Sequence, residues 1–490
     1  MLKTFAVLSA VLAAVSPQQV RDPYHDVQPP QPAYLAPTDK FFIRGGISPQ
    51  ENTIKYWHDV SADIVRQRLA TIQRTGVAKN LILFLGDGMS IPTTTAARIY
   101  LGQLNNEAGE NSKLSFEKFP YTGLSKTYCV DSQVADSACS STAYLSGVKG
   151  NIFTIGVTAD VRKLDWRAMR NPAFHTKSIL HWAQEAGKGS GFVTTCRVTD
   201  ASPSGTYAHT AYRLWQTDQD ILQDDPRATG VKDIASQLME DEPGKNFKVI
   251  MGGGRQVFLP RQVDDGYGRK GTRGDRKDLI QTWKNHKRSI NARATYITNK
   301  QQLMNFDVNN NDYVLGLFQA DHMEYNKRAN SSDQPTLAEM TALAIKMMQK
   351  EPNGYVLFIE SGRIDHGHHE NKAHLALDET VQLSDAVEVA TRMTSEDDTL
   401  IVVTADHAHT MAINGYPSRG SDIFSYLQGT MDNLTYSTLS YANGPNKARF
   451  NPDGGQYNIV QDQRGDPEYT FQTINLLPTE THDGMDVAVY

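Results

Sequence analysis

The stretch GYVLFIESGRIDHGHHENKA, Gly354–Ala373, opens with the uncharged run Tyr355–Ile359, meets an acid at Glu360, and then turns dense in histidine. A continuous apolar run of this length has no polar face to turn towards water, so it suits a strand buried on both sides in a parallel sheet. Three more runs share the form: NLILFLGDG (Asn80–Gly88), SGFVTTCRVTD (Ser190–Asp200) and DTLIVVTADH (Asp398–His407), each an apolar run ending in an acid. Amphipathic stretches lie among them, TLAEMTALAIKMMQK (Thr336–Lys350) and HLALDETVQLSDAVEVATRM (His374–Met393), and YWHDVSADIVRQRLATIQRT (Tyr56–Thr75) has the spacing of an N-terminal helix. The alternation predicts an α/β fold, a three-layer sandwich with a central, mostly parallel sheet flanked by helices. Ligands of such sheets sit outside the carboxyl ends of the strands. Asp87, Asp200, Glu360 and Asp406 are therefore expected to converge on one crevice. From Ile413 to Thr481 the chain turns to glycine, asparagine, proline and tyrosine, the texture of a loop-rich insertion with a few short strands.

The composition is that of an ordinary globular protein: 490 residues, 39% hydrophobic, 21% charged, net charge -6, with no electrostatic case for a nucleic-acid partner. MLKTFAVLSAVLAAVSP places Lys3 before an apolar run and small residues, which reads as a signal peptide over residues 1–16. A Pro/Gln-rich leader, 17–50, follows. No later segment reaches the length of a membrane span, so the expected location is secreted. Sequons at Asn330 and Asn433 fit a secreted glycoprotein. The three cysteines, Cys129, Cys139 and Cys196, allow one disulfide, and the pairing stays open: Cys139 packs as a small hydrophobe or bonds to Cys129.

Six of the 14 histidines fall between His366 and His409. Carboxylates with neutral imidazoles, and no paired thiolates, favour a hydrolytic zinc site over a structural one. Asp365 and His369 are four apart, on one helical face, while Asp406 and His407 are adjacent at a predicted strand end. A lone histidine is more often a core or solvated residue; two clusters on strand ends of one crevice argue for metal. VADSACSSTAYLSGVKG, Val134–Gly150, puts Asp136 in position to cap a helix and Ser137 in its first turn, where free amides attract an anion. No Gly-x-Ser-x-Gly elbow surrounds Ser137, so as a nucleophile it would rely on a metal for activation. The plainer alternative is a helix cap with no catalytic role.

LGDGMS, DSACSSTAYLSGVKG, ASPSGTYAHTAYR, IMGGGR, ESGRIDHGHHENKA, VTADHAH, GYPSRGSDIF and THDGMDVAVY occur in this order. From about Tyr56 to its last residue the chain resembles the animal-type alkaline phosphatases, metal-dependent phosphomonoesterases. The resemblance implies a catalytic domain over 51–490, with 413–481 similar to the family's crown at a homodimer interface. It implies Ser137 as a nucleophile that forms a phosphoserine, and Arg213 as the residue gripping phosphate. It further implies two Zn2+ ions, the first on Asp365, His369 and His482, the second on Asp87, Asp406 and His407, with His409 beside the pair. One Mg2+ would sit on Asp87, Ser202 and Glu360, next to Asp200, an aspartate as in bacterial members where mammalian ones have histidine. Arg363 and His368 carry no ligand role in that pattern. No calcium is implied, because His322 stands near where mammalian members have an acidic ligand. Family members continue beyond the position of Tyr490 with a strand and a helix, so the sequence is expected to be either part of a longer protein, which would carry a GPI anchor to the cell surface, or a truncated form, in which His482 would sit near an unsupported end. The alternatives are a related metallohydrolase acting on phosphodiesters or sulfate esters, and a catalytically silent secreted binding protein. No residue of the ligand pattern is lost, which favours the phosphomonoesterase.

Overall fold

A computed structural model describes residues 48–428, 435–446 and 458–490. The expected signal peptide, nearly all of the leader and the sequon at Asn433 lie outside the described residues.

The apolar runs become strands. In chain order β1 (Asn80–Gly86), β2 (Gly123–Ser125), β3 (Gly189–Arg197), β4 (Val249–Gly253), β5 (Ala294–Ile297), β6 (Tyr313–Leu317), β7 (Tyr355–Ser361) and β8 (Thr399–Ala405) join the strand Val487–Val489 in one nine-stranded sheet. Its order is β2, Val487–Val489, β8, β1, β7, β3, β4, β6, β5. The seven strands from β8 to β5 pair in parallel, and only Val487–Val489 runs antiparallel to its neighbours.

Side chains alternate across a strand, and in β1, β3 and β7 both faces are buried, whereas β8 is buried only over its last three residues. Ile82, Phe84, Leu357, Ile359 and Val403 pack against the helices Leu337–Met348 and Ala373–Met393. Leu83, Leu85, Val356 and Phe358 face the other way, towards Ala138, Leu145, Leu180, Ala183 and Leu238 of the opposite helical layer. That double burial is why these strands carry no polar alternation.

Register sets the height of the acids. Gly86 stands beside Ser361 on β7 and Ala405 on β8, so Asp87 and Asp406 emerge at one level, while Glu360 is level with Leu85 and with Thr194 of β3.

Two expectations are corrected. The segment after His482 is not unsupported: Val487–Val489 lies between β2 and β8, and Tyr490 and Val403 exchange backbone hydrogen bonds of 2.8 and 3.1 Å. The N-terminal helix spans Ile54–Ala70, not Tyr56–Thr75, and buries none of its residues. Its end falls where β-branched Thr71 and Ile72 weaken helix propensity. Within 413–481 the described residues include the hairpin Tyr426–Gln428 with Thr435–Ser437. The strands Leu439–Gly444 and Thr473–Leu476 form a small sheet with Met411–Ile413.

Candidate active site

Asp136 caps the helix Ser137–Ser146: its Oδ1 accepts from the amides of Cys139 (3.2 Å) and Phe153 (2.9 Å). Ser137, first residue of that helix, is buried at the positive end of the helix dipole. Its hydroxyl donates to Asp87 Oδ1 at 3.4 Å and lies 3.1 Å from His407 Nε2. A disulfide joins Cys139, on the same helix, to Cys129, while Cys196 is free and buried.

Three groups of donors surround this serine. His407 Nε2 is 3.1 Å from Asp406 Oδ2 and 3.5 Å from Asp87 Oδ1, which brings Asp87, Asp406 and His407 together. Gly88 helps hold that group, its amide donating to Asp406 Oδ1 at 3.0 Å. A side chain at Gly88 would meet the His409 ring at 2.4 Å, and its φ of +70° suits glycine. In the second group Asp365 lies on the short helix Arg363–His369, with His482 Nε2 at 3.2 Å, His369 Nε2 at 3.4 Å, and the two imidazole nitrogens 3.1 Å apart. The third is looser: Ser202 donates to Asp87 Oδ2 at 3.4 Å, and Glu360 accepts from Thr194 at 2.5 Å. Arg213 spans two acids, donating from Nη1 to Asp136 and from Nη2 to Asp200, both at 3.1 Å.

The alkaline phosphatase family model matches residues 78–490. The chain belongs to the alkaline phosphatase family. A membrane-bound alkaline phosphatase of Bombyx mori is 43% identical over 90% of this chain and 82% of the relative. The human tissue-nonspecific isozyme is 41% identical over 90% and 84%. Among solved structures, the alkaline phosphatase of the Antarctic bacterium TAB5 covers 85% of this chain and 91% of its own, at 20% identity and a TM-score of 0.54, a likeness of fold.

The charge balance of this alkaline phosphatase site asks for cations. Burial, then repulsion from Asp406, Asp365 and Glu360, holds Asp87 well above the usual carboxylate range. Burial likewise raises Asp406, and lifts Glu360 to about 8. Asp365 goes the other way: burial opposes its ionisation, but His369, His409 and His482 pull it well below the usual range. His369 and His407 are depressed by burial, which leaves each a lone pair to offer a metal. Crowded carboxylates with neutral imidazoles are the donors that zinc and magnesium take, so the residues present fit the metals of the family.

His409 is not a neutral ligand. Burial disfavours its charge, but Glu480 and Asp365 raise it to about 10. As an imidazolium it bridges Glu480 Oε2 (2.5 Å) and Asp365 Oδ1 (2.7 Å). Glu480 was not foreseen from the sequence. It is 1% exposed, accepts from the amide and hydroxyl of Thr410 at 2.7 and 2.6 Å, and its backbone carbonyl takes His369 Nδ1 at 2.5 Å. Only its place two residues before His482 hinted at a role, and spacing alone carries no such meaning. Thr194 on Glu360 and Ser140, which donates to Asp406 Oδ2 at 3.1 Å, were also missed, because small hydroxyl residues carry no motif. His368, buried among the site histidines, bonds Thr93 and Tyr441 at 3.0 and 2.9 Å and stays out of the three groups.

Proposed function

We propose that the chain hydrolyses phosphate monoesters to an alcohol and inorganic phosphate through a phosphoserine on Ser137. The observation that carries the reading is the Ser137 hydroxyl, buried at a helix N-terminus within 3.4 Å of both Asp87 and His407. Asp365, His369 and His482 would hold one zinc, Asp87, Asp406 and His407 a second, and Asp87, Ser202 and Glu360 a magnesium. When bound, such ions supply positive charge to the attacking and leaving oxygens of an in-line displacement and acidify serine and water.

The chain's own residues do the rest. By donating to Asp87, the Ser137 hydroxyl keeps its lone pairs free for the incoming phosphorus. The Ser137 Oγ–P bond forms as the bond from phosphorus to the alcohol oxygen breaks, and the serine proton is made good on the departing alcohol. Water then cleaves the phosphoserine, regenerating the hydroxyl and releasing phosphate. Free amides of the first helical turn and the planar Arg213 fork meet the charge on the transferring group, where positioning and electrostatics dominate. Asp136 and Asp200, one on each terminal nitrogen, set the plane of that fork. The cationic Arg213 fork favours a monoester, which carries up to two negative charges, over a diester or a sulfate ester, each of which carries one.

A homodimer, secreted or lipid-anchored outside the cell, completes the reading. The helix Ile54–Ala70 leaves Ile64, Val65 and Leu69 exposed among the described residues, an apolar face that a partner subunit would cover. No described helix is long and apolar enough to cross a membrane.

The test is hydrolysis of a chromogenic phosphate monoester at alkaline pH, before and after chelation and zinc–magnesium restoration, with Ser137→Ala alongside. Activity that chelation removes, the metals restore and the variant lacks supports the proposal. A folded protein that stays inactive with metals present, or a Ser137→Ala variant that keeps its turnover, overturns it.

A further inference from the structure

Beside Glu360 lies a second set of donors, of which the phosphatase chemistry uses only Asp200, as a partner of Arg213. Cys196, Asp200, His322 and His366 each bring one ligand atom within 4.8 Å of all the others. They come from four places in the chain: the end of β3, the turn after it, the loop following β6, and the helix Arg363–His369. The His322 Nδ1 to Asp200 Oδ2 separation is 3.6 Å, and the two imidazole rings stand edge to face with centroids 4.5 Å apart. A tetrahedral ion with bonds of about 2.0 Å to nitrogen and about 2.3 Å to sulfur sets donor–donor edges of roughly 3.3–3.6 Å, so the His322–Asp200 pair already has that spacing and the other pairs, all within 4.8 Å, close onto the ion by contraction.

Gly362 keeps room beside the thiol. Its backbone is ordinary, with φ of -80°, so the absence of a side chain is not conformational. A Cβ there would stand 2.5 Å from the Cys196 sulfur.

We propose that Cys196, Asp200, His322 and His366 form a binding site for one further divalent ion of the zinc and cobalt class. One thiolate, one carboxylate and two imidazoles match that class by softness and by number, whereas magnesium and calcium prefer oxygen alone. Binding releases the thiol proton of Cys196 to solvent, and thiolate plus carboxylate then balance the charge of the ion. Two hydrogen bonds stand in competition. The Arg197 amide donates to His322 Nδ1 at 3.3 Å, a long bond, and Arg363 donates to His366 Nδ1 at 2.6 Å. If His366 binds through Nδ1 it displaces Arg363 directly. If it binds through Nε2 its proton must move to Nδ1, and Arg363 must again swing away. Arg363 keeps a second partner when it gives up His366, since its guanidinium also lies 3.9 Å from the Tyr325 ring centroid. Arg197 and Arg213 also face Asp200, at 3.9 and 3.1 Å, and they weaken the site without occupying a donor.

The experiment is independent of phosphatase activity. The whole protein is stripped of metal and titrated with cobalt(II), and the near-ultraviolet thiolate-to-cobalt band is read. The other two cysteines are joined in the Cys129–Cys139 disulfide, so such a band has one source. The expected result is a band that saturates at one ion per chain, vanishes in Cys196→Ser and needs at least tenfold more cobalt in His322→Ala. In Arg363→Met it should appear at lower cobalt concentration. Absence of the band in the folded protein overturns the proposal, whether or not the other sites load. A band seen only in Arg363→Met also overturns it, because the guanidinium would then bar the site in the native chain.

Discussion

Replacing Glu480 should loosen the metal site without touching a residue proposed to bind metal. Its carboxylate receives one hydrogen bond from the His409 imidazolium and two from Thr410, and its carbonyl receives one from His369. Glu480→Gln keeps the shape. The amide oxygen still serves Thr410, but the amide nitrogen now faces His409 Nδ1, which must give up its proton to accept. His409 then becomes neutral, and its bond to Asp365 loses its charge assistance. A hydrogen bond to a charged group contributes about 1.5–3 kcal/mol, and partners that orient metal-binding histidines change metal affinity by roughly 10–100-fold, about 1.4–2.8 kcal/mol. Zinc should therefore leave Glu480→Gln about ten times faster in the presence of a chelator, and Glu480→Ala faster still, since the latter also strands Thr410. The assay is the rate of zinc transfer to a chromogenic chelator, with kcat/KM measured at saturating zinc. If Glu480→Ala releases zinc at the native rate and keeps its kcat/KM, the reasoning about His409 and His369 is wrong.

Other expectations follow from single contacts. Arg213→Ala should lower kcat/KM by roughly 10–150-fold, the loss of one charge-assisted pair of about 1.5–3 kcal/mol; an unchanged value in steady-state kinetics would remove Arg213 from phosphate binding. Lys287 is buried, and burial, then Lys248, lowers it to about 7. The folded state thus binds fewer protons than the unfolded chain between pH 7 and about 10.4, so this lysine makes stability rise with pH across that window. Lys287→Met should stabilise the protein, by most at pH 7 and by progressively less towards pH 10. Because the ammonium also donates to the Lys245 carbonyl at 2.5 Å and sits 3.6 Å from the Tyr313 ring centroid, the gain is smaller than the shift alone implies. Urea midpoints at the two pH values check it, and a gain that grows with pH would refute it.

The sheet was legible because double burial leaves a plain mark, an apolar run without alternation, and β1, β3 and β7 carry it; β8 has the same run, although its first half is only partly covered. The acids that end those runs, the cap at Asp136 and the helical spacing of Asp365 and His369 were legible for the same reason. Each is a local consequence of one element's geometry. The sequence alone therefore determined the α/β class, the edge of the sheet where the site lies, and the resemblance from which its donors were named.

Tertiary structure decided the rest. Whether Cys139 packs or pairs depended on the fold bringing Cys129 to the start of its helix. His482, 113 residues from His369, reaches it because Val487–Val489 enters the sheet between β2 and β8 and ties down the segment between. Glu480 as a brace for two histidines, and the grouping of Cys196 with Asp200, His322 and His366, have no local signature at all. A strand's burial is recorded in its own residues, whereas a contact between distant segments is recorded only in the register and packing that bring them together.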